Sequence, residues 1–262
     1  VIDALRFEWV RLHTIRSTYW LLASALVLNV ATAFLVALLT RHHMLTNVIV
    51  GAVVTAGGAN PPVPLAAVFV AAIGIFATGH EYAYGTIQPT LTAIPQRSTV
   101  LAAKTIVVAV VGAGFAVVSM VVDLAAGVIF WHEVPDLTIE PLAGALPGYL
   151  VLTVLWAVLG TQLGQLFRSV AAPLVVVLVI PLVVEQLIFR MSNLPALDWL
   201  QPAVKFLPFL AGSQLTSLSG EAAGSDATQF GLFDRWISGS IFAAFIAAVL
   251  AAAWLSFNRR DA

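Results

Sequence analysis

The chain has 262 residues, of which 60 % are hydrophobic and only 10 % charged, with a net charge of −1 and no cysteine. A water-soluble domain carries about 25 % charged residues, so a mean hydropathy of +0.98 points to a bilayer as solvent for most of the surface. The near-neutral charge gives no basic field for nucleic acid, and the missing cysteines exclude disulfides, thiolate metal sites and cysteine nucleophiles.

Residues 2–16 predict an amphipathic helix at a membrane surface. Ile2, Leu5, Trp9 and Leu12 recur at helical spacing, while Arg6, Arg11 and Arg16 can meet lipid phosphates or anchor the first span. Residues 1–18 therefore form an interface helix, and 19–262 a single transmembrane domain. Apolar runs predict six spans at about 19–39, 64–79, 100–130, 146–167, 170–189 and 237–257. Residues 45–58 are apolar but broken by glycine, and suit a re-entrant or interfacial piece. The second run is short, with Pro61, Pro62 and Pro64 at its start, where a missing N–H costs little. The third is long enough to rise beyond the bilayer.

Orientation follows the basic residues. With the N-terminus inside, Arg6, Arg11, Arg16, Arg97, Lys104, Arg168, Arg259 and Arg260 fall on one side. Arg41, Arg190, Lys205 and Arg235 fall on the other. Eight against four favours both termini in the cytoplasm. Glu133, Asp136, Glu140, Asp198, Glu221, Asp226 and Asp234 then all lie outside. Trp20, Trp131, Trp199, Trp236 and Trp254 stand near span ends, as interfacial aromatics do.

The cytoplasmic connection around residues 80–99 exceeds the roughly 2–8 residues that join antiparallel helices. It predicts a short helix over Thr86–Ala93, opened by Gly85, with Thr86 as its cap, Pro89 in its first turn and Pro95 beyond its end. Such a helix lies across the inner face with a rigid edge. Gly160 and Gly164 in the fourth span allow close helix approach, with packing inside the chain as the preferred reading. Pro173 and Pro181 allow the fifth span to kink. Residues 194–234 predict an outer hairpin dipping into the membrane, with a mobile Ser/Gly/Ala-rich part from 212 to 230.

Two acids fall within spans, where a charge costs several kcal/mol. Asp123 is placed near the outer boundary of the third span. Glu185 is placed in the outer leaflet, satisfied by Arg190, Lys205 or water, or contacting substrate or an ion at the outer end of a pathway. Glu185 and Asp123 are both candidates for such a pathway or its outer gate. Neither is read as catalytic. His80-Glu81-Tyr82-Ala83-Tyr84 misses the second histidine of the H-E-x-x-H zinc motif. His13, His42, His43, His80 and His132 leave the later spans without a partner for a serine nucleophile. The dipeptide Gly-Lys does not occur, so no phosphate-binding G-x-x-x-x-G-K-[ST] loop is present.

Taken in order, Glu81, Gly85, Thr86, Pro95, Arg97 and Lys104 resemble the cytoplasmic loop of ATP-binding-cassette (ABC) type-2 permeases. The stretch from Glu8 to Leu12, followed by Thr14 to Trp20, resembles the entry segment of that family. Gln201-Pro202, Phe206-Leu207-Pro208 and Gly212 resemble its outer hairpin. The resemblance implies an all-α polytopic permease subunit in a bacterial plasma membrane. Two such chains pair, as a homodimer or heterodimer, through the first and fifth spans, and each docks on an ABC ATPase subunit. The short helix is then a coupling helix, with Glu81, Gly85, Thr86, Ile87, Thr90, Leu91, Pro95 and Arg97 as the coupling set. Trp9, Arg6, Arg11 and Arg16 form the interface helix. ATP and Mg belong to the partner subunit, so this chain binds no cofactor and is not itself an enzyme. The implied cargo is hydrophobic: a drug, lipid or natural product. A membrane scaffold holding a cytoplasmic partner and an ion-coupled carrier remain open as alternatives.

Overall fold

The computed structural model describes residues 2–55, 64–94, 96–140, 142–218 and 232–259. Pro61, Pro62, Pro95, Glu221, Asp226, Arg260 and the 219–230 part of the predicted mobile loop lie outside the described residues. All regular structure among the described residues is helical. Six helices, Arg16–Thr40, Ala66–Ala83, Arg97–Trp131, Leu142–Phe167, Ala171–Met191 and Arg235–Arg259, are long and apolar enough to cross a membrane.

Helix α1 (Ile2–Thr14) buries Ala4, Glu8 and Leu12, a stripe spaced by four residues. The expected apolar stripe is rotated: Ile2 and Trp9 are exposed, at 80 % and 43 %. Glu8 faces the bundle because its ionic partners lie there. An extended Ile15 then turns the chain into α2 (Arg16–Thr40). Along α2 the buried positions Ala25, Asn29, Ala33 and Ala37 also repeat every four residues. Residues 47–54 form α3 (Asn47–Val54), whose cap Thr46 accepts the Ile49 N–H at 3.3 Å.

Helix α4 (Leu65–Ala83) runs one turn beyond the predicted second span, because His80, Glu81 and Tyr82 continue the helix. After α5 (Ile87–Ala93), α6 (Arg97–Trp131) has 35 residues, about 52 Å of helix. That exceeds a hydrocarbon core of about 30 Å. Helix α7 (Leu142–Phe167) is the centre of the fold and packs on α4, α6 and the last helix. The Gly160-x-x-x-Gly164 pair serves this internal seam. A Cβ on Gly160 would strike the Ala71 carbonyl, and one on Gly164 would come 3.0 Å from that of Ile75.

The next apolar segment is interrupted. Helix α8 (Ala171–Val179) passes into a π-helical turn (Ile180–Val184) and then α9 (Glu185–Met191). Pro181, lacking an N–H, sits within that turn, where a widened ladder tolerates it. A 3₁₀ turn (Pro195–Leu200), α10 (Gln201–Val204), α11 (Pro208–Ser213) and a second 3₁₀ turn (Gln214–Thr216) follow as a broken hairpin. The hairpin enters the bundle rather than lying on it: Phe209 packs with Trp156 and Phe242, and Leu215 is fully buried. Helix α12 (Arg235–Arg259) closes the fold against α7 and α11.

Candidate functional site

Two buried acids and two bases meet where α1 crosses the ends of α4 and α6. Lys104 Nζ lies 2.9 Å from Glu8 and 3.0 Å from Glu81, and also donates to the Ala77 carbonyl at 3.3 Å. Arg11 pairs with Glu8 at 2.9 Å, contacts Glu81, and donates to the same carbonyl. Four charges of balanced sign thus neutralise one another, which a low-dielectric site requires. Burial pulls the Arg11 guanidinium below its ordinary value, and Glu8 partly offsets this.

The cluster redistributes the residues predicted to act here. Glu81 is not an exposed member of the loop; it is buried in the last turn of α4. Arg11 faces acids rather than lipid phosphates. Arg6 and Arg16 are exposed, as an interface role needs. Glu8 and Lys104 emerge as structural centres, although the sequence marked them only as motif letters. The readable signal for Glu8 was its place on the buried stripe between Ala4 and Leu12.

Beside the cluster, Gly85 adopts φ +68°, a left-handed conformation that favours glycine, and turns the chain into α5. Thr86 precedes the helix but makes no side-chain cap; its carbonyl accepts the Thr90 hydroxyl at 3.0 Å. Ile87 and Thr90 face inward, Leu91 is half-buried, and Gln88, Pro89 and Thr92 are exposed. Ile87 packs with Leu101 of α6 and Phe257 of α12, supported by Tyr82 and Leu91. Arg97 donates to the Phe257 carbonyl at 2.9 Å and lies over its ring. Gln165 donates to the Tyr82 hydroxyl at 2.5 Å, and Arg168 covers the Tyr82 ring. The short helix is thereby tied to α4, α6 and α12, with one face left open.

The two acids predicted within spans lie in separate places. Asp123 is fully buried and accepts from Asn29 of α2. It lies eight residues, about 12 Å, short of Trp131 at the end of α6, with its side chain turned into the bundle. Glu185, 3 % exposed, pairs with neither Arg190 nor Lys205 in an ion pair. It accepts the backbone N–H groups of Phe209 at 3.0 Å and Leu210 at 2.7 Å, holding the first turn of α11. Lys205 stacks instead over Phe206 and Phe233.

No group of three or more His, Cys, Asp or Glu side chains that could hold a metal ion occurs among the described residues. Fold and composition define a class: a helical protein with six helices suited to crossing a membrane. No protein-family model matches the chain, and no curated protein sequence matches it.

Proposed function

We propose that this chain is the membrane-spanning subunit of an ABC exporter, with both termini in the cytoplasm of a bacterial cell and its ATPase on a separate chain. The observation that carries this reading is the mounting of α5. A seven-residue helix is fixed by Ile87, Thr90 and the neighbouring Arg97, while Gln88, Pro89 and Thr92 stay exposed. A helix so placed can receive a push and pass it on. Its contacts lead to α6 through Leu101 and to α12 through Phe257, and Glu81 joins α4 to α1 through Arg11. Closure of a docked ATPase pair around ATP and Mg would move these helices together and drive a hydrophobic cargo outward. A second permease chain would complete the pathway, using the exposed apolar faces of α2 and the α8–α9 segment.

Co-expression with the ATPase encoded beside this gene tests the reading. The two chains should co-purify, and the complex in vesicles should move substrate in a vanadate-sensitive manner. Gln88→Glu with Thr92→Glu should break the complex without unfolding this chain. A complex that forms but shows no ATP-dependent transport would favour a scaffold. No complex, or one indifferent to those substitutions, would overturn the docking role of α5.

A further inference from the structure

The polar group around Asp123 lies apart from α5, and the carboxylate makes no ion pair among the described residues. Asp123 (α6), Asn29 (α2), Ser119 (α6) and Tyr149 (α7) are each at least nine-tenths buried. Asn29 Nδ2 donates to Asp123 Oδ2, while Asp123 Oδ1 has no hydrogen-bond donor among the described residues. Ser119 stands one helical turn before Asp123, on the same face. Its hydroxyl donates to the Ala116 carbonyl at 3.0 Å and lies 3.4 Å from the Tyr149 hydroxyl.

Among the described residues, no side-chain cation of the elements packed on α6 reaches this carboxylate. Helices α3 and α7 contain no charged residue; α2 has Arg16, thirteen residues or about 20 Å before Asn29, and Arg41 at its C-terminal end, twelve residues or about 18 Å after it, with its Nε on His42. On α6 the nearest is Lys104, nineteen residues or about 28 Å away and already paired. The charged groups of α1 and α4 that face α6 are Glu8, Arg11 and Glu81, all in the cluster around Lys104. Helix α12 meets α6 beside Arg97 through Phe257. An uncompensated carboxylate this deep in an apolar bundle costs several kcal/mol. A bound cation removes that cost.

We propose that Asp123, Asn29, Ser119 and Tyr149 form a buried binding site for one monovalent alkali cation, with Na⁺ as the species to test. Oxygen donors on three helices suit a hard cation. A single carboxylate neutralises one positive charge, which selects a monovalent ion over a divalent one. Occupancy ties α2, α6 and α7 together.

Equilibrium binding of ²²Na⁺ to the purified full-length chain in detergent tests the site, with choline chloride holding ionic strength constant. Saturable binding of about one ion per chain is expected, weakened at least tenfold in Asp123→Asn and measurably in Tyr149→Phe. Thermal unfolding of the unaltered chain supplies a second readout that needs no variant: its midpoint should rise with Na⁺ and not with choline. Absence of saturable ²²Na⁺ binding to the unaltered chain overturns the proposal. So does equal binding by a folded Asp123→Asn chain, or a midpoint that follows pH but not Na⁺, which would assign the charge to a proton.

Discussion

Lys104 Nζ lies 2.9 Å from Glu8 Oε1, joining the long helix α6 to the amphipathic helix α1 through a fully buried contact. Removing one member of a buried ion pair leaves its partner uncompensated, at a cost of about 3–5 kcal/mol. Lys104→Met should therefore destabilise the chain by about that amount in denaturant unfolding from detergent micelles. Glu8→Gln combined with Lys104→Met should lose less than the sum of the two single changes, because each alone strands a charge. Arg6→Ala, at an exposed position of the same helix, should stay within about 0.5 kcal/mol of the parent.

Glu185 holds α11 through two backbone N–H groups, each such charged hydrogen bond contributing about 1.5–3 kcal/mol. The chain has no cysteine, so a single introduced thiol reports locally. Ala211→Cys, at a position 3 % exposed on α11, should react slowly with a maleimide. Adding Glu185→Ala should raise that rate at least tenfold by releasing the hairpin, and Glu185→Gln, which keeps one acceptor, should fall between. Equal rates in all three would remove Glu185 as the hairpin's fastening.

Length, apolar runs and turn residues were enough to read the six long helices, the short helix after Gly85 and the broken hairpin after the fifth apolar segment. Those features depend on local composition, which a linear reading samples directly. What stayed hidden depends on pairing across the bundle. Glu8 and Glu81 are 73 positions apart, and no periodicity says that one arginine and one lysine will share them. Asn29 carries no formal charge to mark it within a span, and its significance comes only from Asp123 beside it. For Glu185 a sequence offers side-chain cations, Arg190 and Lys205, as visible partners, whereas its partners are backbone amides, free where α11 begins at Pro208.

Glycines give a test of the α4–α7 seam. A Cβ on Gly74 would lie 2.6 Å from the Ala157 carbonyl and 2.7 Å from the Thr161 nitrogen, both backbone atoms that cannot turn aside. Gly74→Ala should cost about 1–3 kcal/mol by forcing the helices apart. Gly114, on α6, has nothing within 4 Å of the same added atom. Gly114→Ala should be neutral or stabilise by about 0.5–1 kcal/mol through helix propensity. Opposite signs in unfolding experiments would locate the tight seam, whereas equal effects would argue against the close approach.

The two faces of α5 should separate folding from docking. Ile87 is 4 % exposed and packed against Leu101 and Phe257, so Ile87→Ala should cost about 2–5 kcal/mol and loosen α5 itself. Gln88 and Thr92 lie on the open face, and alanine at either should leave the unfolding midpoint of the isolated chain unchanged within about 0.5 kcal/mol. In the proposed complex with an ATPase the order should reverse for Gln88 and Thr92. Charged substitutions there should abolish co-purification and transport together, although the chain alone remains folded. Arg97→Ala provides the intermediate case. It removes the donor to the Phe257 carbonyl but leaves the open face intact. If α5 transmits motion through α12, that variant should still bind the ATPase while transport falls; if α5 only holds a partner in place, binding and transport should both persist.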